Sequence, residues 1–328
     1  MRLHLDKKLF RQAVQATSDQ MQIPAIYVEK DYWVTYALFN IFNDDIGKDT
    51  VFKGGTALSK CYNIIERFSE DIDLVVLRRE GESNNKLTTK IKTIGEVVNN
   101  VLPEIEIPGL THKMGMNRKT AHSYSKEFQG DYGQVRDAIV IEATWLGYFE
   151  PYTTKCICSF IGKMMIDNKQ LEIASENNLL PFDLLVLEPI RTICEKIMSL
   201  VRFSYYENPT DVLRKKIRHI YDLHQLLADE DFLNFFNSKK FDDMLLMVAQ
   251  EDVISFKNNN KWLKNHPSSS LLFENPKIVW DDLKSTYKTD FINLVYGSFP
   301  DENELLNTLE TINKRLLSIK WKIQIDES

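Results

Sequence analysis

Residues 51–77 constrain this chain more than any other stretch. They read VFKGGTALSKCYNIIERFSEDIDLVVL: a short apolar strand, a paired-glycine turn, a helix, and a second strand opened by Asp71 and Asp73. Alternate side chains of a strand share a face, so these two carboxylates project together about 6.5–7 Å apart along the backbone. Two acids that near repel each other unless a cation sits between them or one keeps its proton. Mg2+ suits such a pair, because it takes few carboxylates and completes its shell with water and substrate phosphates. The plainer reading is a strand whose polar face begins with two solvated acids. An EF-hand is excluded, since no third Asp or Gly follows at loop spacing.

The turn favours the first reading. Val51-Phe52 predicts a short strand, and Lys53-Gly54-Gly55-Thr56 turns from it into a helix beginning at Ala57-Leu58. Paired glycines let the backbone approach an anion closely, and a new helix offers free N–H groups at its positive end. The spacing is not that of a Walker A loop. A Gly-Gly-Thr turn, one helix and then an Asp-x-Asp strand is a way of building a site for a triphosphate and a metal.

The rest of the chain supplies a frame. Val28, Tyr32, Thr35/Tyr36 and Phe39 repeat at the period of one helix face, so the first 45 or so residues predict helix. A loop from Arg78 to about Thr89 leads to a helix ending near Val101. Residues 104–180 look strand-rich: AIVIEATWLGYF is β-branched and apolar, and CICSFIGKMMI resembles another strand or buried segment. From Pro189 the period becomes 3.6 and stays so through LEPIRTICEKIMSLVRF, DVLRKKIRHIYDLHQLL and ENELLNTLETINKRLLSI. The expected fold class is therefore α+β, a mixed β-sheet with flanking helices followed by an α-helical C-terminal domain. The expected divisions are 1–48, N-terminal helices packing on the core; 49–185, the domain holding the glycine turn and the acids; and 186–328, the helical domain.

Composition narrows the partners. With 328 residues the chain is long enough for two domains, and 18 Phe, 13 Tyr and 5 Trp give it ample apolar surface to bury, which excludes disorder as its main state. A net charge of −6 argues against coating nucleic acid by global charge, leaving only local basic patches. No apolar run nears the roughly 20 residues of a membrane span, and the N-terminus MRLHLDKKLFRQAVQ lacks a signal peptide's continuous apolar region. The expected compartment is the cytoplasm. Cys61, Cys156, Cys158 and Cys194 are scattered and fit buried apolar positions better than a metal site.

FKGGTALSKCYNIIERFSEDIDL resembles the AbiEii family of nucleotidyltransferase toxins, within the DNA-polymerase-β-like nucleotidyltransferase superfamily. The family's Gly-[Gly]-Ser/Thr turn and Asp-x-Asp fall on Gly54, Gly55, Thr56, Asp71 and Asp73; Lys53 and Arg67-Phe68-Ser69 also look like this family. Further on, Glu195-Lys196 matches its Glu-Lys pair, and Arg218-His219-Ile220-Tyr221-Asp222-Leu223 its Arg-Asp-x-Tyr-Asp-Leu-like helix, with His219 standing where an Asp is common. The likeness spans residues 28–225.

The resemblance implies a Mg2+-dependent nucleotidyltransferase. Lys53, Gly54, Gly55, Thr56, Arg67 and Ser69 would hold the phosphates of an NTP, and Asp71 and Asp73 would carry Mg2+. Lys196 would stabilise the triphosphate, and Glu142 or Asp222 would position or deprotonate the attacking hydroxyl. It further implies release of pyrophosphate, an RNA acceptor such as a tRNA 3′ end, and a cognate antitoxin protein as partner. Each residue also has a plainer reading. Lys196 could be a solvated surface lysine, Asp222 the i, i+4 partner of Arg218, and Glu142 an edge-strand acid. The basic stretches 112–119 and 214–218 could contact acceptor phosphates or be ordinary solvated faces; Tyr124, Tyr132 and Tyr148 could stack on bases or belong to the core. A non-catalytic nucleotide-binding module, or transfer to protein or a small molecule, remain the alternatives.

Overall fold

The computed structural model describes residues 1–130, 135–147 and 149–325; Tyr132 and Tyr148 lie outside them. The described chain forms two compact units, residues 1–63 with 67–187, and residues 64–66 with 188–328.

The first unit opens with two helices, α1 (Lys7–Met21) and α2 (Ala25–Asn43). Asp6 caps α1 by accepting from Leu9 N at 3.0 Å, and Gln22 in a left-handed conformation ends it before Pro24. There follow β1 (Thr50–Lys53), α3 (Gly54–Tyr62), β2 (Ile72–Val76), α4 (Asn84–Asn99), β3 (Glu104–Ile105), β4 (His112–Met114), β5 (Asn117–His122), β6 (Ile139–Thr144), β7 (Tyr152–Ile157), α5 (Phe160–Asp167), α6 (Leu171–Glu176) and β8 (Phe182–Leu187). The strands make one mixed sheet in the order β3-β5-β6-β2-β1-β8-β7, with β4 also paired to β5. β2 runs antiparallel to β1 and parallel to β6; β5 and β6 are antiparallel.

Strand alternation sorts the sheet into two faces. Phe52, Leu74 and Ala143 share one and are buried, with Thr120 on the same side beneath Gly95 of α4. Val51 and Val75 share the other, where they pack with Leu187 and with the partly buried Leu77, Phe149 and Leu185. The observed sheet with flanking helices and the helical C-terminal part are the α+β arrangement expected from the sequence.

Three local expectations of this unit change. α4 begins at Asn84, inside the stretch expected as loop, because the Ser83 side chain accepts from Lys86 N and caps the helix there. α3 begins at Gly54 rather than Ala57, because the glycine turn is itself the first helical turn, entered from an extended Lys53. CICSFIGKMMI is half strand and half helix: β7 ends at Ile157, and Ser159 accepts from Gly162 N at 3.0 Å to start α5.

The second unit is helical: α7 (Pro189–Phe203), α8 (Pro209–Arg214), α9 (Ile217–Ala228), α10 (Glu230–Phe236), α11 (Lys239–Ser255), α12 (Leu271–Glu274), α13 (Pro276–Thr286) and α14 (Glu302–Leu317). Pro189 occupies the first turn of α7, where its missing N–H costs nothing. The segment DVLRKKIRHIYDLHQLL, expected as one helix, is two, broken at Lys215-Lys216. Ile64–Glu66 joins this unit through Glu66, whose carbonyl accepts from Tyr296 N at 3.0 Å and whose carboxylate accepts from Ser298 N at 2.9 Å.

Candidate active site

The sheet register assembles the site. Lys53 of β1 stands opposite Asp73 of β2, Asp73 opposite Glu142 of β6, and Glu142 opposite Lys119 of β5. Directly paired residues share a face, so these four strands present one row of alternating charge, Lys53–Asp73–Glu142–Lys119. Lys119 Nζ donates to Glu142 Oε2 at 2.8 Å and Asn117 Nδ2 to Oε1 at 2.9 Å.

The row is electrostatically uneven. Burial, then the charges of Asp71 and Glu142, push the Asp73 carboxyl up to about 7, with Lys53 and Lys119 offsetting only part. Glu142 goes the other way. Burial alone would raise it, but the Lys119 ammonium and the hydrogen bonds from Lys119 and Asn117 hold it below the usual carboxylate range. The plain reading of Glu142 as an edge-strand acid does not describe it, since β6 lies between β5 and β2.

The glycine turn is pressed against this row. Gly54 has φ +81, and a Cβ there would collide with Asp73 Oδ2, so both its conformation and its neighbour demand glycine. A Cβ on Gly55 would lie 2.7 Å from Arg67 Nη2 and 3.2 Å from Ser69 Oγ. Thr56 Oγ1 donates to the Asp71 carbonyl at 2.6 Å and shares a 2.9 Å hydrogen bond with Ser69 Oγ, fastening the first turn of α3 to the chain entering β2. Arg67 is fully buried and donates to Phe68 O at 3.1 Å. At the start of α3 the Lys53 side chain makes no cap, so the first N–H groups receive none from it.

Asp71 is held by a residue that sequence reasoning passes over. Arg136 Nη1 donates to Asp71 Oδ1 at 2.6 Å, and Arg136 N donates to Glu70 Oε1 at 2.7 Å. Glu70 in turn faces the buried ammonium of Lys30 at 3.2 Å, which also donates to the carbonyls of Arg136 and Ala138. Lys119 and Asn117 stand in the sequence only as part of a basic stretch. Their alignment with Glu142 depends on strand register, which no local pattern encodes; for Arg136 the sequence carries no signal.

Among the described residues no three His, Cys, Asp or Glu side chains converge as a ready metal cage. The donor set nevertheless fits a hard divalent cation. Asp71 and Asp73 supply oxygen ligands two residues apart, and a cation there would offset both the burial and the neighbouring acid charges that raise Asp73.

In the second unit Lys196 Nζ donates to Asp222 Oδ2 at 2.7 Å, both side chains buried, with His219 Nδ1 3.4 Å from the same ammonium. Lys196 is therefore not a solvated surface lysine, and Asp222 pairs across helices from α9 to α7. Glu195 accepts from Arg191 Nε at 3.1 Å. Of the predicted residues, Lys53, Gly54, Gly55, Thr56, Arg67, Ser69, Asp71, Asp73 and Glu142 come together in the first unit; Lys196 and Asp222 come together in the second.

The profile of the family described as nucleotidyl transferase AbiEii toxin, type IV TA system, matches residues 36–299, most of the chain. The chain belongs to the AbiEii family. It is accordingly a nucleotidyltransferase of the toxin–antitoxin class, and the glycine turn with its acids lies inside the matched span. A solved structure, MenT4, a nucleotidyltransferase toxin from Mycobacterium tuberculosis H37Rv, superposes with a TM-score of 0.46 at 14% identity, covering 91% of this chain and 98% of that one. No curated protein matches the chain in sequence.

Other candidates in this AbiEii protein take ordinary structural places. Tyr124 is buried, beneath the ammonium groups of Lys30 and Lys126 and tilted against Trp33. The 112–119 stretch is the β4–β5 hairpin, where Lys113 pairs with Glu104. In the 214–218 stretch Arg214 pairs with Asp211 and Lys216 lies over the Phe203 ring. Cys61 and Cys194 are buried, Cys156 is exposed, and none forms a disulfide. No helix among the described residues is long and apolar enough to cross a membrane.

Proposed function

We propose that this AbiEii protein transfers a nucleotide from an NTP to an RNA hydroxyl, with a tRNA 3′ end as the acceptor and pyrophosphate as the leaving group. The observation that carries the reading is the row Lys53–Asp73–Glu142–Lys119 lying beside the glycine turn, cations and carboxylates alternating where a phosphate chain and a metal must be held together.

The N–H groups at the start of α3 and the Lys53 ammonium bind the triphosphate. Thr56, Ser69 and Arg67 act through the turn, their polar groups being engaged in bracing it. Asp71 and Asp73 are the ligands for Mg2+. When bound, that ion supplies charge neutralisation as the bond to the leaving pyrophosphate lengthens. Glu142, held ionised by Lys119 and Asn117, is a weak base, and its part is to orient rather than to abstract a proton. Lys196 stabilises the triphosphate and Asp222 holds Lys196 in place, following the family resemblance and the buried pair the two residues make. A cognate antitoxin keeps the activity in check in the cytoplasm, so that expression without it arrests growth.

The test is transfer from each of the four α-labelled NTPs, with Mg2+, to total tRNA. Label on tRNA that is lost in Asp71→Asn and Asp73→Asn supports the reading and names the nucleotide. Label on protein or a small molecule overturns the acceptor. Nucleotide binding without any labelled product overturns transfer and leaves a binding module.

A further inference from the structure

We propose that Arg136 is the resident counter-ion of Asp71, competing with a divalent cation for that carboxylate so that metal does not settle there in the absence of nucleotide. The proposal rests on the reading of Asp71 as a metal ligand.

Three observations place Arg136 in this role. Its guanidinium meets Asp71 Oδ1 at 2.6 Å, and the same nitrogen lies 4.0 Å from Glu70, so one cation faces two consecutive acids. The backbone of Arg136 is fixed independently of its side chain: its N–H donates to Glu70 Oε1 at 2.7 Å and its carbonyl accepts from Lys30 Nζ at 2.7 Å. Lys30 is fully buried and also contacts Glu70 and the Ala138 carbonyl, so the segment carrying Arg136 is anchored to α2 and to the chain entering β2 at the same point. An arginine delivered to an acid by that much scaffolding is placed, not incidental.

The consequence is a difference between the two acids of the Asp-x-Asp pair. Asp71 has a guanidinium partner at hydrogen-bond distance, whereas the charges of Lys53 and Lys119 offset only part of what raises Asp73. A cation arriving alone must displace Arg136 from Asp71. A cation arriving with a triphosphate brings anionic oxygens to which the released guanidinium can turn, a geometry arginine suits. Arg136 is thus a positioning residue that makes metal and nucleotide enter together, protecting the site from unproductive metal loading.

The experiment is Mn2+ binding, read as loss of the free-ion paramagnetic resonance signal, on the full chain without nucleotide. Arg136→Gln removes the charge and leaves every backbone bond of residue 136 available, and matching melting curves with wild type establish that it folds. The expected result is Mn2+ binding about three- to fivefold tighter in Arg136→Gln, the factor a partly exposed ion pair is worth when it must be given up. Arg136→Lys should stay near wild type, and the Arg136→Gln/Asp71→Asn double variant should lose the gain. Unchanged or weaker binding in Arg136→Gln, while Asp71→Asn alone weakens it, overturns the counter-ion role and leaves the metal reading standing. Binding indifferent to Asp71→Asn in either background overturns the metal reading itself.

Discussion

Asp73, a proposed metal ligand, also bears on the stability of this protein. Burial and two neighbouring acids push its carboxyl up to about 7, against an ordinary value of 3.8. Between those values the folded protein binds a proton that the unfolded chain has released, so this group's contribution to stability falls as pH rises from about 4 to 7. Asp73→Asn removes the effect: the variant should be more stable than wild type at pH 8 by about 1–2 kcal/mol after allowing for solvent screening, and the gain should vanish near pH 4. Urea unfolding at four or five pH values, without metal, measures it directly; a gain that grows toward low pH contradicts the account. Asp71 and Asp73 are legible from their i, i+2 spacing at a strand start and from the glycine turn upstream. What is not legible is that Asp73 fills the space a Cβ on Gly54 would need, or that Glu142 is paired with Lys119, since both facts depend on residues brought together from elsewhere in the chain.

At the scale of elements the informative case is α2. Its apolar repeat is readable, and the helix is there, but that repeat says nothing of the charged triplet Glu29-Lys30-Asp31, which is buried. All three are matched by partners from distant parts of the chain. Glu29 accepts from the backbone N–H groups of Glu127 and Phe128 at 2.7 and 3.1 Å, Lys30 faces Glu70, and Asp31 pairs with Lys60 and accepts from Phe160 N at 2.7 Å. Periodicity sorts residues by polarity, so it places charges outside, and only tertiary partners can bring them in. Lys30→Met should cost about 3–5 kcal/mol in urea unfolding, because it leaves the Glu70 charge buried without its ammonium. Adding Glu70→Gln should restore a substantial part. If the double variant is as unstable as Lys30→Met, the cost lies in the lost carbonyl contacts rather than the stranded charge. The boundaries of α3 and α5 depart from the sequence reading for a related reason: Gly54 and Ser159 act as helix starts through backbone conformation and capping, which residue type only suggests.

At the scale of the molecule, the AbiEii match runs across both compact units, and each contributes a built cluster of charge. Lys196 and Asp222 stand out in the sequence only through resemblance; the helix pattern places Lys196 at the rim of an apolar stripe, and burial of the pair requires α7 and α9 to face each other. Because the pair is buried, loss of activity in a single variant mixes chemistry with unfolding. Lys196→Met should lower stability by about 3–5 kcal/mol. Lys196→Met/Asp222→Asn should recover much of that while transferring no nucleotide. A double variant that folds and retains wild-type transfer removes both residues from the mechanism. The acceptor, the base transferred and the antitoxin leave no mark in the sequence, because selection among them rests on surface shape rather than on spacing along the chain.

Everything proposed here depends on nucleotidyl transfer at the glycine turn and the Asp71–Asp73 pair. It is tested most directly by supplying the same NTP labelled at either its α- or its γ-phosphate. α-Label should move to the acceptor and γ-label should leave in pyrophosphate, and Asp73→Asn should abolish both. Label from the γ-phosphate on the acceptor, or transfer that survives Asp73→Asn in a folded protein, would contradict it.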